Sequence, residues 1–426
     1  MDNFWGLAGF EFKKIFQRKI FLASVLICLG VIAVTVFASV SSGSFWHKVG
    51  NNISQFEAMK LDKATIISNR GYITPELVSE AIMSNREMIS NDDNYFSNEY
   101  GRHLKEDAYI EYILPYESVV NLVNIIYADD LDWLSMDALR LSYIKDDKAI
   151  DSMTPDQVKD FDNDLKKFAV AMVMREEGLS PAEIEKNLEL IGQIKTPLYN
   201  DYFGGYDAYI SGSKGLALTA LFLILILLAP IFSNEYEEKT DQILLCTKNG
   251  KGSLCRAKLF VALVISMLGS ILVMGIGWLS FLTVYGFEGG DVNIQVVNPG
   301  CTYPITLLEA CLIHFVSVII ASVLFGAFVA LLSAKVKRSA TSVVVLGTLV
   351  TIIPMFIWMP LKSSRFVYNI LKLFPVNSVT FGFDMSFIDV LGTLFTPYKF
   401  IWVISAILIA AFSYLAICSF KKHQVT

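Results

Sequence analysis

The chain has 426 residues, of which 54% are hydrophobic and 18% are charged, and its mean hydropathy is +0.50. This is more apolar surface than a soluble core needs, so the composition excludes an ordinary soluble protein and favours a bilayer environment. The formal net charge is −6, and the charges are distributed unevenly along the chain.

Six apolar segments are each long enough to cross a hydrocarbon core as a helix, which takes about 20 residues. In chain order they cover residues 20–40, 216–232, 259–285, 307–332, 341–360 and 400–420. The sequence therefore predicts an all-α membrane protein, a six-transmembrane-helix bundle with a mostly helical extracytoplasmic domain. The predicted boundaries are an amphipathic interfacial helix at 1–19, transmembrane helix 1 at 20–42, the extracytoplasmic domain at 43–213, and transmembrane helices 2–6 at 214–426.

The N-terminal segment before the first span has the pattern of an interfacial amphipathic helix. One stripe is apolar and consists of Phe4, Leu7, Ala8, Phe12 and Ile15. Glu11 and the cations lie between these residues, and the cations are expected to face an anionic leaflet. The segment is either an anchor that sets topology or a surface for a cytoplasmic partner.

The first apolar run also admits a signal-peptide interpretation, because Val36, Phe37 and Ala38 resemble a cleavage site after a basic segment. A signal h-region has about 7 to 15 residues, whereas this run has about 21, so we expect a retained membrane anchor.

Lysine and arginine flank the spans in four places. The flanking cations are Lys13, Lys14, Arg18 and Lys19; Lys239, Lys248, Lys251, Arg256 and Lys258; Lys335, Lys337 and Arg338; and Lys421 and Lys422. Because basic loops tend to remain in the cytoplasm, both termini are predicted to be cytoplasmic.

This topology places residues 43–213 outside, with about 30 acidic and about 16 basic residues. The segment contains no cysteine, which fits a bacterial cytoplasmic membrane better than a eukaryotic secretory route. Its acidity suggests affinity for cationic peptides, and the alternative is a plain solvated surface.

Helix starts within this domain are marked by Thr74, Thr154 and Ser180, each followed by proline. Five aromatic residues then precede the second span, and they are expected to form an aromatic belt or, less simply, a ligand-stacking surface: Tyr199, Tyr202, Phe203, Tyr206 and Tyr209. Residues 361–398 are too apolar for a free loop and are predicted to form a re-entrant-like outer segment, as a pair of short helices.

The chain lacks the motifs of common enzyme and nucleotide sites. It contains no GxxxxGK[ST] loop, no HExxH, no cysteine and histidine spacing typical of a metal site and no GxSxG. We therefore expect no catalytic residue, no metal and no cofactor on this chain. Glu309 and His314 form a possible intramembrane polar site, although residues five apart do not share a helix face.

The loop after the second span contains the most informative motif. Glu235, Glu237 and Thr240 follow the span, an apolar stretch comes next, and Lys258 opens the third span. This pattern resembles the ABC type-2 transporter permease family, in a variant with a large domain between the first two spans. Lys239 stands where the family usually has glycine, a departure that concerns only the shape of the local turn.

The resemblance implies a permease subunit of an ABC exporter that forms the substrate path through a bacterial cytoplasmic membrane. Residues 234–257 would be the cytoplasmic coupling loop, with the N-terminal helix as a second contact. The residues implied in coupling to the ATPase are Glu235, Glu237, Glu238, Thr240, Lys258, Glu11 and Lys14.

The implied partners are a dimer of ABC ATPase subunits, which would hold ATP and Mg, a second permease chain and the lipid bilayer, with no nucleic acid. Spans 1, 2 and 5 would line the substrate path, with kinks at Pro230 and Pro354. Gly326 and Ala330 have the spacing of helix packing. The cargo could be a peptide or antimicrobial, and the alternatives are an ion-extruding (for example sodium) permease or a membrane receptor with an extracytoplasmic sensing domain.

Overall fold

The computed structural model describes residues 4–48, 51–99, 101–128, 149–238, 252–336, 339–357, 377 and 383–421. Across them the chain is predominantly helical, with three short two-stranded antiparallel sheets. The chain forms two compact units. The first contains Met1–Val36, Tyr209–Ser280 and Leu312–Thr426, and the second contains Phe37–Ala208 and Phe281–Cys311.

The apolar helices of the chain are as follows, in order: α1 (Phe4–Phe16), α2 (Lys19–Ser41), α10 (Gly204–Leu228), α11 (Pro230–Glu237), α12 (Ser253–Tyr285), α14 (Leu307–Lys335), α15 (Ala340–Ile357) and α16 (Pro397–Lys421). Five helical segments of the described chain are long and apolar enough to cross a membrane: Lys19–Ser41, Gly204–Glu237, Ser253–Tyr285, Leu307–Lys335 and Pro397–Lys421. They coincide with five of the six predicted spans. The other prediction, 341–360, falls on the shorter α15, so the count of six spans remains a prediction.

Helix α2 illustrates why these segments suit a bilayer. Its buried residues, Ser24, Cys28, Ile32 and Val36, recur every four positions and form one packing stripe. The remaining faces are also apolar and are exposed, as at Leu26 and Val34. A helix that is apolar all round but packed on only one side requires an apolar solvent.

The first unit also contains a close helix crossing at Gly326 of α14. A Cβ atom added there would collide with Ser266 Oγ on α12. Ala330, one turn further along α14, is fully buried. Gly326 and Ala330 therefore lie where α14 packs against its neighbours, as their small-residue spacing predicted.

The first unit ends in a short hairpin and the last long helix. Strands β5 (Ile388–Val390) and β6 (Thr393–Phe395) pair antiparallel, directly before α16. The described part of the predicted 361–398 segment therefore includes a hairpin, and the predicted pair of short helices stays a prediction. Residues 358–376 and 378–382 of that region lie outside the described residues.

The second unit is built from short elements: α3 (Gln55–Ile67), β1 (Gly71–Tyr72), α4 (Pro75–Ser90), β2 (Tyr95–Asn98), β3 (Gly101–Leu104), α5 (Glu106–Ala108), α6 (Glu117–Ile126), α7 (Ala149–Ser152), α8 (Phe161–Arg175), α9 (Pro181–Gly192), β4 (Tyr199–Asn200) and α13 (Ile294–Val297). Short 3-10 helices cover Trp46–Lys48, Asp92–Asn94, Leu114–Tyr116 and Pro155–Val158, and a short π-helix covers Tyr109–Ile113.

Local sequence signals account for the helix starts in this unit. Thr74 accepts a hydrogen bond from the Leu77 N–H, and Ser180 forms a reciprocal capping box with Glu183. Thr154 likewise caps a turn, but that turn ends at Val158 and α8 begins only at Phe161. The predicted start at Thr154 therefore opens a separate short turn.

The second unit includes a segment that sequence reasoning left with the membrane helices, Phe281–Cys311. Two of its hydrogen bonds join it to residues about 100 positions earlier in the chain. The Tyr199 N–H donates to Asn293 Oδ1 at 2.9 Å, and the Thr302 hydroxyl donates to Asn187 Oδ1 at 2.9 Å. The second unit therefore begins near the predicted boundary at residue 43, but it also includes Phe281–Cys311, which lies much later in the chain.

The aromatic residues before the second span are packing residues. Tyr202, Tyr206 and Tyr209 are buried. The Tyr202 carbonyl oxygen and Phe203 lie against Gly289, and the Tyr206 ring lies against Gly290, where an added Cβ would collide with them. These rings are therefore occupied by protein contacts rather than exposed for stacking on a ligand.

Candidate functional site: a buried ion cluster

The most distinctive polar site of the first unit is centred on Lys258, whose side chain is fully buried. Its ammonium nitrogen lies 2.9 Å from Glu11 Oε2, 2.7 Å from Glu235 Oε1 and 3.1 Å from the Ile231 carbonyl oxygen. A lysine ammonium has three N–H donors, and here it has three acceptors. We call Glu11, Glu235 and Lys258 the ion cluster.

Each member of the ion cluster comes from a different helix. Glu11 lies in the middle of α1, Glu235 near the end of α11, and Lys258 in the second turn of α12. The cluster therefore joins the helix before the first span, the end of the second apolar segment and the start of the third.

Glu11 is buried because of its position on α1. Ala8, Glu11 and Ile15 are the buried residues of that helix and share one face. Phe4, Leu7 and Phe12 on the same side are half-buried. The predicted apolar stripe is therefore the packed face, and it includes a carboxylate that the sequence had suggested would be among the polar positions.

The opposite charges of the ion cluster compensate one another. A charge removed from water is very costly unless it is paired and hydrogen-bonded. Two buried carboxylates share one ammonium, and the half-exposed Lys14 lies 3.8 Å from Glu235. These four charges sum to zero.

Arg18, between α1 and α2, adds a further cation near the acidic residues. Burial lowers the pKa of its guanidinium, whereas the negative charges of Glu11, Glu238 and Glu235 act in the opposite direction. The acidic end of α11 therefore faces cations from the first turns of the chain.

Next to the ion cluster, the second apolar segment is interrupted at Pro230. Helix α10 ends at Leu228 and α11 begins with the proline, which cannot donate a backbone hydrogen bond. Ser333 of α14 occupies this break: its hydroxyl donates to the Ala229 carbonyl at 2.7 Å and accepts the N–H groups of Phe232 and Ser233, each at 3.0 Å. The helix interruption at Pro230 is therefore stabilised by another helix, and the kink expected there stays a prediction.

The side chains at the end of α11 fall into two groups. Glu235 is buried in the ion cluster, whereas Glu237 and Glu238 are exposed. Tyr236 lies between them and donates from its hydroxyl to the Ala334 carbonyl at 3.1 Å. The same short helix thus contacts the protein with one face and presents two carboxylates on the other.

The structure brings together four of the seven residues predicted for coupling: Glu11, Lys14, Glu235 and Lys258. Thr240 lies outside the described residues. Sequence reasoning did not find Ser333, which is about 100 residues from its partners. Its only sequence signal is a serine near the end of an apolar helix.

Glu309 and His314, the predicted intramembrane polar site, make different contacts. The Glu309 carboxylate accepts the Thr306 N–H at 2.9 Å, and the Glu309 N–H donates to the Thr306 hydroxyl at 3.3 Å, which caps the start of α14. His314 is buried, with its ring centroid 5.2 Å from that of Phe383. Among the described residues, no group of three or more histidine, cysteine, aspartate or glutamate side chains is placed to hold a metal.

The long apolar helices define a multi-pass membrane protein. Its distinguishing feature is the ion cluster, which joins the end of α11 to the start of α12. Comparison of the chain with protein-family models and with curated proteins finds no match.

Proposed function

We propose that this chain is the permease subunit of an ATP-driven exporter of the ABC type-2 class, and that a separate ATPase drives it through the 234–257 loop. The observation that carries the proposal is the position of Lys258, which bonds at once to Glu11 and Glu235. The three elements expected to meet an ATPase are thereby joined at one point.

The ion cluster gives a physical route for coupling. A force applied to the segment between α11 and α12 acts on Glu235 and Lys258, which lie near its two ends. The salt bridge to Glu11 passes the displacement to α1, and Ser333 passes it to α14. Packed elements joined by specific polar contacts move between discrete arrangements rather than deforming continuously.

The proposal assigns different tasks to the predicted coupling residues. Glu11, Glu235 and Lys258 are buried, so they position the loop rather than contact the ATPase. Glu237, Glu238 and the exposed Lys13 are available to a partner. Charge at the rim of an interface mainly sets recognition and association rate, which suits docking of a separate subunit.

The remaining parts of the proposal concern the assembly and its cargo. Two permease chains would pair in a bacterial cytoplasmic membrane with both termini inside, and the predicted domain at 43–213 would lie outside. Its excess of acidic residues favours a cationic peptide as cargo over a sodium ion, because the acidic residues are distributed along the whole segment. ATP and Mg would be bound by the ATPase.

The proposal is tested by co-purification of the tagged chain with the ATPase encoded nearest to it. The variant Glu237→Lys/Glu238→Lys reverses two exposed charges without touching the ion cluster. The matched control is Glu80→Lys/Glu87→Lys, which makes the same charge change at exposed positions of α4 in the second unit.

We expect stoichiometric ATPase with the wild type and the control, and a loss of at least about tenfold with the Glu237/Glu238 variant. If both variants retain equal amounts of ATPase, Glu237 and Glu238 do not form the contact surface. If the wild type retains no ATPase in mild detergent, the exporter proposal fails and a receptor becomes the better account of the chain.

A further inference from the structure

The hairpin before α16 ends in an apolar tip. Its two-residue turn is Leu391–Gly392, and the flanking Val390 pairs with Thr393. Leu391 is fully exposed and Val390 is also exposed, whereas Phe387 and Ile388 at the base are buried. The apolar residues at the far end thus project beyond the packed part of the first unit.

Leu391 is an unfavourable residue for this turn in water. Its φ is +54° and that of Gly392 is +84°, which is the geometry of a two-residue turn in which asparagine and glycine are preferred. A leucine at positive φ is strained, and its exposed side chain contributes nothing to the described core. Both disadvantages would be offset if an apolar environment outside the chain covered the side chain.

The base of the hairpin is held at the start of α16. Only Thr396 separates β6 from the first residue of that helix. Phe383, shortly before the hairpin, contacts the Tyr398 ring with centroids 6.3 Å apart, and the indole N–H of Trp402 donates to the Ser317 hydroxyl at 2.9 Å. Tyrosine and tryptophan in the first turns of a membrane helix are typical of the bilayer interface.

We propose that the Val390–Leu391 tip inserts into the lipid interface at which α16 enters the membrane. The occupant follows from chain continuity, because the hairpin runs directly into an apolar helix with exposed side chains such as Val403 and Ile407. The tip extends about 10 Å beyond Ile388 at about 3.3 Å per residue, which matches the depth of an interfacial insertion.

The adjacent acidic residue is compatible with this placement. Asp389 is exposed, and its carboxylate accepts the Gly392 N–H at 2.8 Å. The bond braces the turn and partly compensates the charge, so the carboxylate stays at the headgroup level while the two apolar side chains point further. The inference concerns lipid contact and does not depend on the transport proposal.

The test uses an environment-sensitive fluorophore on Leu391→Cys in proteoliposomes. Quenching by lipids with a nitroxide on the headgroup or on a shallow acyl carbon is compared with quenching by aqueous iodide. Asn98→Cys, at the polar end of the exposed hairpin β2–β3, is the matched control. The unsubstituted protein gives the labelling background, since the described native cysteines are buried or half-buried.

We expect lipid nitroxides to quench the label at position 391 at least about threefold more than at position 98, with iodide giving the opposite order. Iodide access equal to the control would overturn the proposal. Protection from both kinds of quencher would also overturn it, because the tip would then be covered by protein, such as a second copy.

A second variant separates lipid contact from folding. Leu391→Asn fits the turn better and removes the apolar side chain, so it should fold with unchanged helix content. With the fluorophore on Val390→Cys, adding Leu391→Asn should reduce lipid quenching severalfold. Unchanged quenching in this folded variant would show that Leu391 does not anchor the tip.

Discussion

Replacing Lys258 by methionine should be among the most destabilising single changes in the first unit. Both Glu11 Oε2 and Glu235 Oε1 lie within 2.9 Å of the Lys258 nitrogen, so the two oxygens are at most about 6 Å apart. Without the ammonium, two buried carboxylates face each other. At an effective dielectric constant of about 20, their repulsion is about 3 kcal/mol.

This repulsion is part of the cost of leaving buried charges without their partner. Removal of one partner from a buried ion pair typically costs about 3–5 kcal/mol, and the Ile231 carbonyl also loses its lysine donor. We therefore expect Lys258→Met to lower the free energy of unfolding by about 3–5 kcal/mol, or to trap one carboxylate in its protonated form. The assay is unfolding in mixed micelles with increasing SDS, followed by tryptophan fluorescence.

Two companion variants make the experiment decisive. The triple variant Glu11→Met/Glu235→Met/Lys258→Met removes all three charges and should recover most of the lost stability, since apolar replacement of buried ion groups is often neutral. Lys13→Met, an exposed residue of α1, should change stability by less than about 0.5 kcal/mol. Equal stability of Lys258→Met and wild type, or a triple variant as unstable as Lys258→Met, would refute the electrostatic reasoning.

Three further predictions follow from single contacts. Ser333→Ala removes the acceptor for two N–H groups at the Pro230 break and should lower the unfolding free energy by about 1–3 kcal/mol in the same assay. Gly326→Ala should cost about 1–3 kcal/mol, because the Ser266 side chain must move, and adding Ser266→Ala should recover part of that loss. In the second unit, Lys63 contacts Glu288 at 2.6 Å. Burial raises the pKa of Glu288, but hydrogen bonds from Lys63 and from backbone N–H groups outweigh it, so the pKa lies below its ordinary value.

The sign of the Glu288 effect determines its pH dependence. A carboxylate whose folded pKa is lowered stabilises the fold above its unfolded pKa of about 4.3, and this contribution disappears as pH falls through the folded pKa. The thermal stabilities of wild type and Glu288→Gln should therefore differ at pH 7 and converge below about pH 4. A constant difference across this range would contradict the assignment. For the first unit, unchanged stability of Ser333→Ala, or no recovery by Ser266→Ala, would count against the corresponding contact.

Features that depend on local composition and periodicity were predictable from the sequence alone. Five apolar segments are long helices because about 20 consecutive apolar residues leave the backbone no polar partner except itself. Ser180 and Glu183 specify a helix start within four residues. The apolar stripe of α1 was also readable, because its spacing is helical.

Which of the motif residues meet depends on how the helices pack. Glu235 and Lys258 were singled out as neighbours in one loop, but their burial against Glu11 depends on how α1 packs, which no local pattern encodes. The same holds for Ser333 at the Pro230 break and for Phe281–Cys311 in the second unit. In each case a polar group is satisfied by a partner about 100 or more residues away. Hydropathy and spacing indicate that such a group needs a partner, and only the packed chain identifies it.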